Sequence, residues 1–461
     1  MSGEVLNSDW LAERALRSPG ALALCEGDRR LGYADLDRRV SEVARALCAA
    51  GVKPGARVAV GFGGLDFAVV AHAARRCGAL LLPLNTRLSE REIATQLDDA
   101  EPEQVLRDPG QLAALPPSDA APPAPPDAGE PSTLIYTSGT TGAPKGALLS
   151  PRGFFASALA SALHLGALPS DRWLACLPLF HVGGLSILWR SVLSGSAVVV
   201  QERFDPEQVD AALDRDGITC LSLTANMLAR LLDARRDAPA PPTLRLLLLG
   251  GGPCPAPLVA RAEAAGFPVA PTYGLTEAHS QVATRPPGAP PEVGATPLPG
   301  TALRIEAGEI WVRGPTLMNG YWRRPEASAA ALRGGWLHTG DLGRLDEEGR
   351  LIVLDRRSDL IVSGGENVYP AEVEAALLAH PDVAEAGVAG VDDMEWGARP
   401  AAWVVLQPGA DPDTESLRSH CRERLAGYKV PVAFHRASAL PRTAAGKLQR
   451  HRLGEPDPAQ R

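Results

Sequence analysis

The sequence predicts an α/β fold built on parallel sheets, with an antiparallel region and a smaller α+β region after it. Apolar runs at 56–62 and 79–85 are separated by an alanine-rich stretch of helical spacing, and this strand–helix–strand order is typical of parallel sheets. The alternation continues through SAVVVQ, ITCLSL and LRLLLLGGG within 196–252. Short runs in 302–355, GEIWVRG and GRLIVLD, are typical of antiparallel hairpins, and 371–461 alternates helix and strand again.

Composition and charge narrow the classes of function. The net charge of -8 argues against a surface for nucleic acid or anionic membranes. The seven cysteines are scattered without a Cys-x-x-Cys pair, so we expect neither a zinc site nor a disulfide framework, and free thiols fit a reducing cytoplasm. The first residues lack the pattern of a signal peptide, and no apolar run approaches about 18 residues, so no membrane insertion is expected.

A glycine- and threonine-rich segment, 135–146, follows an apolar strand and has the composition of a phosphate-binding loop. Its glycines let the backbone approach an anion, and its hydroxyls and lysine supply donors. It is not a Walker A loop, because Pro144 precedes the lysine and Gly146 takes the Ser/Thr position. The alternative is an ordinary surface turn. The predicted phosphate-binding residues are Thr137, Ser138, Gly139, Thr140, Thr141, Gly142 and Lys145.

This segment resembles the phosphate-loop signature of the adenylate-forming superfamily, which includes acyl-CoA synthetases, luciferases and peptide-synthetase adenylation domains. The resemblance runs from Tyr33 to about Arg450, with further motifs in the family's order. These motifs are Leu177–His181, Gly250–Gly252, Tyr273–Glu277, Trp336–Asp341, Asp355–Asp359, Gly364–Asn367 and Pro441–Lys447.

The resemblance implies a two-domain architecture. Residues 1–355 would form a large N-terminal adenylation domain of mixed and parallel sheets with helices and a small β-barrel-like portion. Residues 356–461 would form a small, mobile α+β C-terminal domain that carries the catalytic lysine and the thioesterification loop, and that rotates after adenylation. The position that matches the family's hinge is Ser358, where the family usually has Asp or Lys.

The implied chemistry is the activation of a carboxylate. Attack of the carboxylate on the α-phosphate of ATP brings two anions together, so the site must supply cations and donors. The resemblance assigns Lys447 as the cation between them, Glu277 as the Mg²⁺ ligand and Thr276 as a contact of the α-phosphate. By residue type alone, Lys447 would be a solvated surface lysine and Glu277 a glutamate at a helix N-terminus.

The same resemblance implies the sites for nucleotide and coenzyme A. Tyr273 would stack on adenine, and Asp341 would accept both ribose hydroxyls through its two oxygens. Arg356 would contact ribose or phosphate. Their alternatives are ordinary turn and strand-end residues. The remaining residues assigned to ATP or coenzyme A are Gly251, Gly252, Gly274, Gly364 and Gly365, the last two bordering a pantetheine tunnel.

Segments 177–190 and 276–281 resemble the o-succinylbenzoate–CoA ligase branch of the family, which serves menaquinone biosynthesis. That acid has a second carboxylate that needs a cation, and Arg190 is the candidate because arginine binds carboxylate bidentately. His181 would line the acyl entrance. The alternatives are an arginine on an outer helix face and a packing histidine. Ser280 and Gln281 complete the predicted acid-binding set.

Other functions remain open on the sequence. They are a ligase for fatty or aryl acids, a luciferase-type enzyme, and a stand-alone adenylation enzyme that loads a carrier-protein thiol. A non-catalytic nucleotide-binding protein would be expected to lack Lys447 or Glu277, and both are present. We expect a cytoplasmic enzyme with a small-molecule acid as substrate and no nucleic-acid partner. Homo-oligomer formation is left open.

Overall fold

The computed structural model describes residues 8–123, 126–137, 144–236, 238–252, 254, 256–290, 293–355, 360–441, 448 and 450–454. The helices, in chain order, are α1 Trp10–Arg17, α2 Tyr33–Ala49, α3 Gly64–Arg76, α4 Glu90–Ala100, α5 Pro151–Leu165, α6 Val182–Ser194, α7 Pro206–Arg215, α8 Ala225–Ala234, α9 Ala256–Ala264, α10 Pro325–Ala331, α11 Pro370–Leu378 and α12 Thr414–Arg422.

The strands, in chain order, are β1 Leu22–Glu26, β2 Arg29–Gly32, β3 Arg57–Val60, β4 Leu80–Pro83, β5 Gln104–Leu106, β6 Thr133–Thr137, β7 Lys145–Leu149, β8 Arg172–Ala175, β9 Ala197–Val200, β10 Cys220–Leu223, β11 Leu246–Leu249, β12 Val269–Leu275, β13 Ser280–Thr284, β14 Thr296–Pro297, β15 Ala302–Glu306, β16 Glu309–Arg313, β17 Gly320–Tyr321, β18 Leu332–Arg333, β19 Trp336–Leu345, β20 Leu351–Asp355, β21 Ile361–Ser363, β22 Glu366–Val368, β23 Val383–Asp393, β24 Gly397–Leu406 and β25 Ala433–Arg436.

The chain divides into two compact units. The first contains Met1–Thr86, Ala100–Ile135 and Gly146–Leu354, and the second contains Arg87–Asp99, Tyr136–Lys145 and Asp355–Arg461. The α/β fold class with a large and a small part is confirmed. The predicted domain boundary between residues 355 and 356 stays a prediction.

Two large sheets form the first part of the fold, and their central strands are parallel as predicted. The nine-stranded sheet has the order β14-β13-β12-β11-β10-β8-β9-β1-β2, and its strands from β12 to β1 pair in parallel. The six-stranded sheet has the order β17-β7-β6-β4-β3-β5, with parallel pairing between β3, β4, β5 and β6. In the nine-stranded sheet, β12, β13 and β14 pair antiparallel, which makes a hairpin at that edge.

The large sheets share one core around two helices that are apolar on nearly every face. Val58 and Leu81 of the six-stranded sheet belong to the same buried cluster as Trp173 and Val198 of the nine-stranded sheet, together with residues of α3 and α6. Helices buried on all sides lose the amphipathic pattern of surface helices. Alternate residues of the nine-stranded sheet, such as Leu174, point into a second cluster with α7 and α8.

Residues 302–355 form the antiparallel sheet that the sequence predicts. β15 pairs with β16, β16 with β19, and β18 with β19, all antiparallel, and β20 also pairs with β19. Strand β19 of this sheet contains the Gly340-Asp341 motif and belongs to the first unit.

The second unit has its own sheet and core. The strand order is β22-β21-β24-β23, with β25 beside β24, and the apolar faces of α11 and α12 pack on it. Lys429 is 4% exposed. Its ammonium lies 2.7 Å from carboxylate oxygens of both Glu92 and Glu372, and this buried ion triad ties α4 to the C-terminal residues. No helix in the described part of the chain is long and apolar enough to cross a membrane.

Candidate active site

The β12–β13 hairpin carries the central motif of the predicted site. Gly274 pairs with Gln281 and Leu275 with Ser280, and a single 3-10 turn, Thr276–Ala278, joins the strands. Residues assigned to the nucleotide therefore lie on one strand and its turn. Two of the residues assigned to the acid, Ser280 and Gln281, lie on the facing strand.

Gly274 is required by the close approach of these two strands. A Cβ atom at this position would lie 1.9 Å from the carbonyl oxygen of Ser280, which is backbone and cannot rotate away. Glycine is therefore the residue that this register accepts. Its role is to let the turn with Thr276 and Glu277 fold tightly against β13.

The turn stores backbone strain at two residues. His279 has φ 52° and Ser280 has φ 97°, in the left-handed region that side chains with a Cβ atom rarely adopt. Such conformations cost on the order of 1–3 kcal/mol each and persist when surrounding contacts enforce them. These two residues follow the predicted metal ligand Glu277 after one intervening residue, Ala278, so the strain lies within the candidate site.

His279 anchors the strained turn through three hydrogen bonds in the protein interior. Its Nδ1 lies 2.6 Å from the carbonyl oxygen of Thr316, so Nδ1 is the donor, and its Nε2 accepts from the backbone N–H of Ser150 at 3.0 Å. The Ser157 hydroxyl donates to the His279 carbonyl. The ring also fills the space that a Cβ on Gly153 would need. Sequence reasoning gave His279 no role, although the TEAHSQ segment contains it.

Burial keeps the imidazole neutral. Loss of hydration lowers the pKa of His279 to about 4, against hydrogen bonds to Thr316 and Ser150 that raise it. A neutral ring with one donor and one acceptor nitrogen is the form that these two backbone partners require.

Tyr273 and Asp341 are brought together by contact between distant segments. The Tyr273 hydroxyl donates to Oδ2 of Asp341 at 2.7 Å, and the tyrosine is 8% exposed. Asp341 is further placed by its own N–H, which donates to the Thr339 hydroxyl, and by the Gly340 N–H, which donates to Glu309. Stacking of Tyr273 on adenine stays a prediction. The structure adds that its phenol orients the carboxylate assigned to ribose.

Glu277 is a half-buried carboxylate at the turn. The Tyr321 hydroxyl donates to its Oε1 at 3.0 Å, and the Met318 N–H donates to its backbone carbonyl at 2.8 Å. The described residues contain no cluster of three or more His, Cys, Asp or Glu side chains that could hold a metal. One carboxylate oxygen donor suits Mg²⁺, which keeps several waters and binds substrate phosphates alongside few protein carboxylates. The residues present therefore fit the ion.

Arg190 is a buried cation on α6. It is 6% exposed; its Nη2 donates to Oε1 of Gln281 at 3.1 Å, and its guanidinium carbon lies 4.9 Å from the ring centroid of Trp173. Its Nε makes no hydrogen bond, and no described carboxylate lies within ion-pair distance. Burial lowers its pKa to about 10, so it is still charged near neutral pH. A desolvated charge without a counter-ion is costly, which favours an anionic ligand here.

His181 stands at the other end of the same helix. It is the N-cap residue of α6, half-buried, with its ring 4.7 Å from that of Phe180. Arg190 lies nine residues further, about 13 Å at 1.5 Å per residue. Helix α6 runs from Val182 to Ser194 and so connects the two residues. Their spacing suits an elongated acid with charged groups at both ends.

The remaining predicted residues lie on glycine-rich turns or outside the described residues. Gly251 has φ 80°, and a Cβ on Gly250 would lie 2.8 Å from Thr272. Thr137 donates to the carbonyl of Lys145 at 3.3 Å. The predicted residues outside the described ones are Ser138, Gly139, Thr140, Thr141, Gly142, Arg356, Ser358 and Lys447.

Gly364 and Gly365 form the tight turn between β21 and β22. Both have positive φ, 57° and 85°, as a two-residue type I′ hairpin turn requires. The Gly364 N–H donates to the Trp396 carbonyl at 2.9 Å, and a Cβ on Gly364 would lie 2.5 Å from the indole ring. A side chain at Gly364 would displace the tryptophan.

The comparisons with known proteins identify the class of enzyme to which this fold belongs. A family model described as AMP-binding enzyme matches residues 11–322, and one described as AMP-binding enzyme C-terminal domain matches residues 372–447. The chain belongs to the AMP-binding enzyme family.

Within that family the chain is similar to ligases for one acid. It is 45% identical to a 2-succinylbenzoate–CoA ligase of Geobacillus kaustophilus, covering 96% of this chain and 97% of that protein. It is 39% identical to o-succinylbenzoate CoA synthetase of Bacillus subtilis bound with its product analogue OSB-NCoA, with a TM-score of 0.93 and coverage of 97% and 98%. The same synthetase in complex with ATP and magnesium ion gives a TM-score of 0.72, at 39% identity and coverage of 97% and 99%.

We predict that Gly274→Ala slows pyrophosphate release by about 100-fold or more, because shifting reacting groups by about 1 Å has effects of that size. The matched control is Gly20→Ala, where a new Cβ meets no atom within 4 Å. Circular dichroism and melting curves would show whether each variant is folded. Normal adenylation by a folded Gly274→Ala protein would show that the site does not require glycine at position 274.

We predict that His279 makes stability fall as pH drops. Its pKa is about 4 when folded and 6.5 in the unfolded chain, so between these values the unfolded state binds more protons. The contribution, on the order of 3 kcal/mol, is present above pH 6.5 and lost on descending to pH 4. Denaturant titrations from pH 7.5 to 4 should show a shallower decline for His279→Gln than for the unchanged protein. Exposed His435→Gln is the control, and parallel curves for all three would exclude this role.

Proposed function

We propose that this protein activates o-succinylbenzoate with ATP and Mg²⁺ and transfers the acyl group to coenzyme A. The observation that carries the choice of acid is Arg190, a buried guanidinium without a described carboxylate partner. The acid supplies one carboxylate for reaction and a second for this cation. The names of the similar ligase and synthetase support the same acid.

The first half-reaction joins the acid to AMP. A carboxylate oxygen attacks the α-phosphorus, an oxygen–phosphorus bond forms, and the bond to pyrophosphate breaks. Thr276 would donate to the α-phosphate, Glu277 would hold the Mg²⁺ that neutralises phosphate charge, and Lys447 would bridge carboxylate and phosphate. Asp341, oriented by Tyr273, would accept the ribose hydroxyls.

The second half-reaction replaces AMP by a thiol. The thiol of coenzyme A releases its proton to solvent, its sulfur attacks the acyl carbon to form the carbon–sulfur bond, and AMP leaves with the electrons of the broken carbon–oxygen bond. The Gly364-Gly365 turn would border the pantetheine chain. We propose Ser358 as the hinge between the two half-reactions.

The other site assignments follow the same proposal. The segment with Thr137 and Lys145 would cradle the phosphates, Arg356 would contact ribose or phosphate, and Gly251 and Gly252 would border the nucleotide. The residues proposed for the acid are His181, Arg190, Ser280 and Gln281. A cytoplasmic location, with a small-molecule acid as partner, belongs to this proposal.

The second candidate, a ligase for fatty or aryl monocarboxylic acids, explains less of the structure. An apolar chain next to Arg190 would leave the guanidinium buried without a counter-ion, at a cost of several kcal/mol. A carrier-protein thiol in place of coenzyme A would leave the acid site unchanged. Product analysis is therefore needed to determine which thiol accepts the acyl group.

We predict that ATP, Mg²⁺, coenzyme A and o-succinylbenzoate yield AMP, pyrophosphate and o-succinylbenzoyl-CoA. Attack at the α-phosphorus fixes these products, and mass spectrometry with a pyrophosphate assay measures them. Formation of ADP would exclude the reaction type. Absence of turnover with this acid, alongside turnover of another acid, would exclude the substrate.

We predict that Arg190→Ala raises KM for o-succinylbenzoate by about tenfold or more, as loss of a charged hydrogen bond worth roughly 1.5–3 kcal/mol implies. The KM for ATP should change little. The matched control is Arg235→Ala, since Arg235 is also buried but is paired with Asp210 and Asp214. An unchanged KM for o-succinylbenzoate in Arg190→Ala would remove this residue from the acid site.

A further inference from the structure

Arg190 is held on two sides by groups that carry no charge. The face of the Trp173 indole lies under the guanidinium, and the amide oxygen of Gln281 accepts from Nη2. Both supporting residues are buried, Trp173 at 4% and Gln281 at 2% exposure. The attraction between a cation and the face of an indole ring orients the charge without neutralising it.

Gln281 is itself fixed, which determines the direction of its amide. Its Nε2 donates to the Thr284 hydroxyl at 3.2 Å, and that hydroxyl lies 2.7 Å from the Thr272 hydroxyl. With its amide nitrogen engaged on β13, Gln281 presents its oxygen to Arg190. A chain of hydrogen bonds between uncharged side chains thus connects Thr272 to the Arg190 guanidinium.

The titratable group beside Arg190 is also neutral. Cys220 is the residue whose charge would act on the guanidinium, but burial raises the pKa of its thiol to about 12. The positive charge of Arg190 is therefore oriented by its neighbours and left uncompensated by the described side chains around it.

We propose that Trp173 and Gln281 are positioning residues that aim Arg190 and preserve its charge for the second carboxylate of the acid. The neutral side chain at position 281 determines the specificity for a second carboxylate. A glutamate there has the same shape but would form an ion pair with the Arg190 guanidinium in place of the acid. The inference rests on the proposed function, because it takes the distal carboxylate as the ligand of Arg190.

The test is Gln281→Glu, compared with the unchanged protein and with Gln281→Met. The added carboxylate should pair with Arg190 and compete with the acid, so KM for o-succinylbenzoate should rise about tenfold or more. KM for ATP should stay within about twofold, and melting temperature should not fall, since a buried cation gains a partner. Gln281→Met, which removes the acceptor without adding charge, should give a smaller rise.

Trp173 is tested by a conservative pair. Trp173→Leu should raise KM for o-succinylbenzoate about threefold to tenfold, and Trp173→Phe, which keeps an aromatic face, should restore most of the loss. On an Arg190→Ala background, Gln281→Met and Trp173→Leu should add little to KM, because their effect acts through the missing guanidinium.

A panel of acids with one and two carboxylates tests the role of Gln281 separately from the proposed substrate. The unchanged protein should favour the second carboxylate, and Gln281→Glu should lose that preference, because its KM should rise more for dicarboxylic than for monocarboxylic acids. Normal o-succinylbenzoate kinetics in Gln281→Glu, with turnover intact in the unchanged protein, would overturn this inference alone. A protein that shows no preference for any second carboxylate would overturn both the inference and the proposed substrate.

Discussion

The carbonyl oxygen of Ser280 lies where a side chain on residue 274 would have to be, and the arrangement of the site depends on this contact. It brings β12 and β13 close enough to pair Gly274 with Gln281. Residues proposed for the nucleotide, on the turn, and two residues proposed for the acid, on β13, consequently share one hairpin. An acyl-adenylate, which joins an acid to AMP, needs both sets at a fixed separation.

This hairpin is strained, and its support comes from the protein interior. His279 and Ser280 have positive φ, which is unfavourable for both residues. The imidazole of His279, with one nitrogen donating to Thr316 and the other accepting from Ser150, offsets that cost. Arg190, at the other side of the site, is held through neutral partners. Buried contacts thus fix both His279 and Arg190, and the positive charge of Arg190 remains available to a ligand.

Local motifs allowed much of the candidate site to be proposed from the sequence, whereas contacts between distant segments could not be predicted. Strand–helix alternation predicted the parallel sheets, and Tyr273–Glu277 and Gln281 were assigned because each belongs to a short pattern. His279 was missed because its partners lie 129 and 37 residues away. The hydrogen bond between Tyr273 and Asp341 joins residues 68 positions apart, so no local sequence pattern predicts it. Trp173 has an ordinary strand pattern, and its role depends on Arg190 lying above it.

The most direct test of the account is a crystal structure of this protein with a non-hydrolysable o-succinylbenzoyl-adenylate analogue. We expect the phosphoryl mimic beside Thr276, the ribose hydroxyls on Asp341, and the distal carboxylate within about 3 Å of the Arg190 guanidinium, a charge-assisted hydrogen-bond distance. The Gln281 amide oxygen should keep its contact with the same arginine. An analogue bound with its distal carboxylate in solvent, and Arg190 still without an anion, would contradict the account.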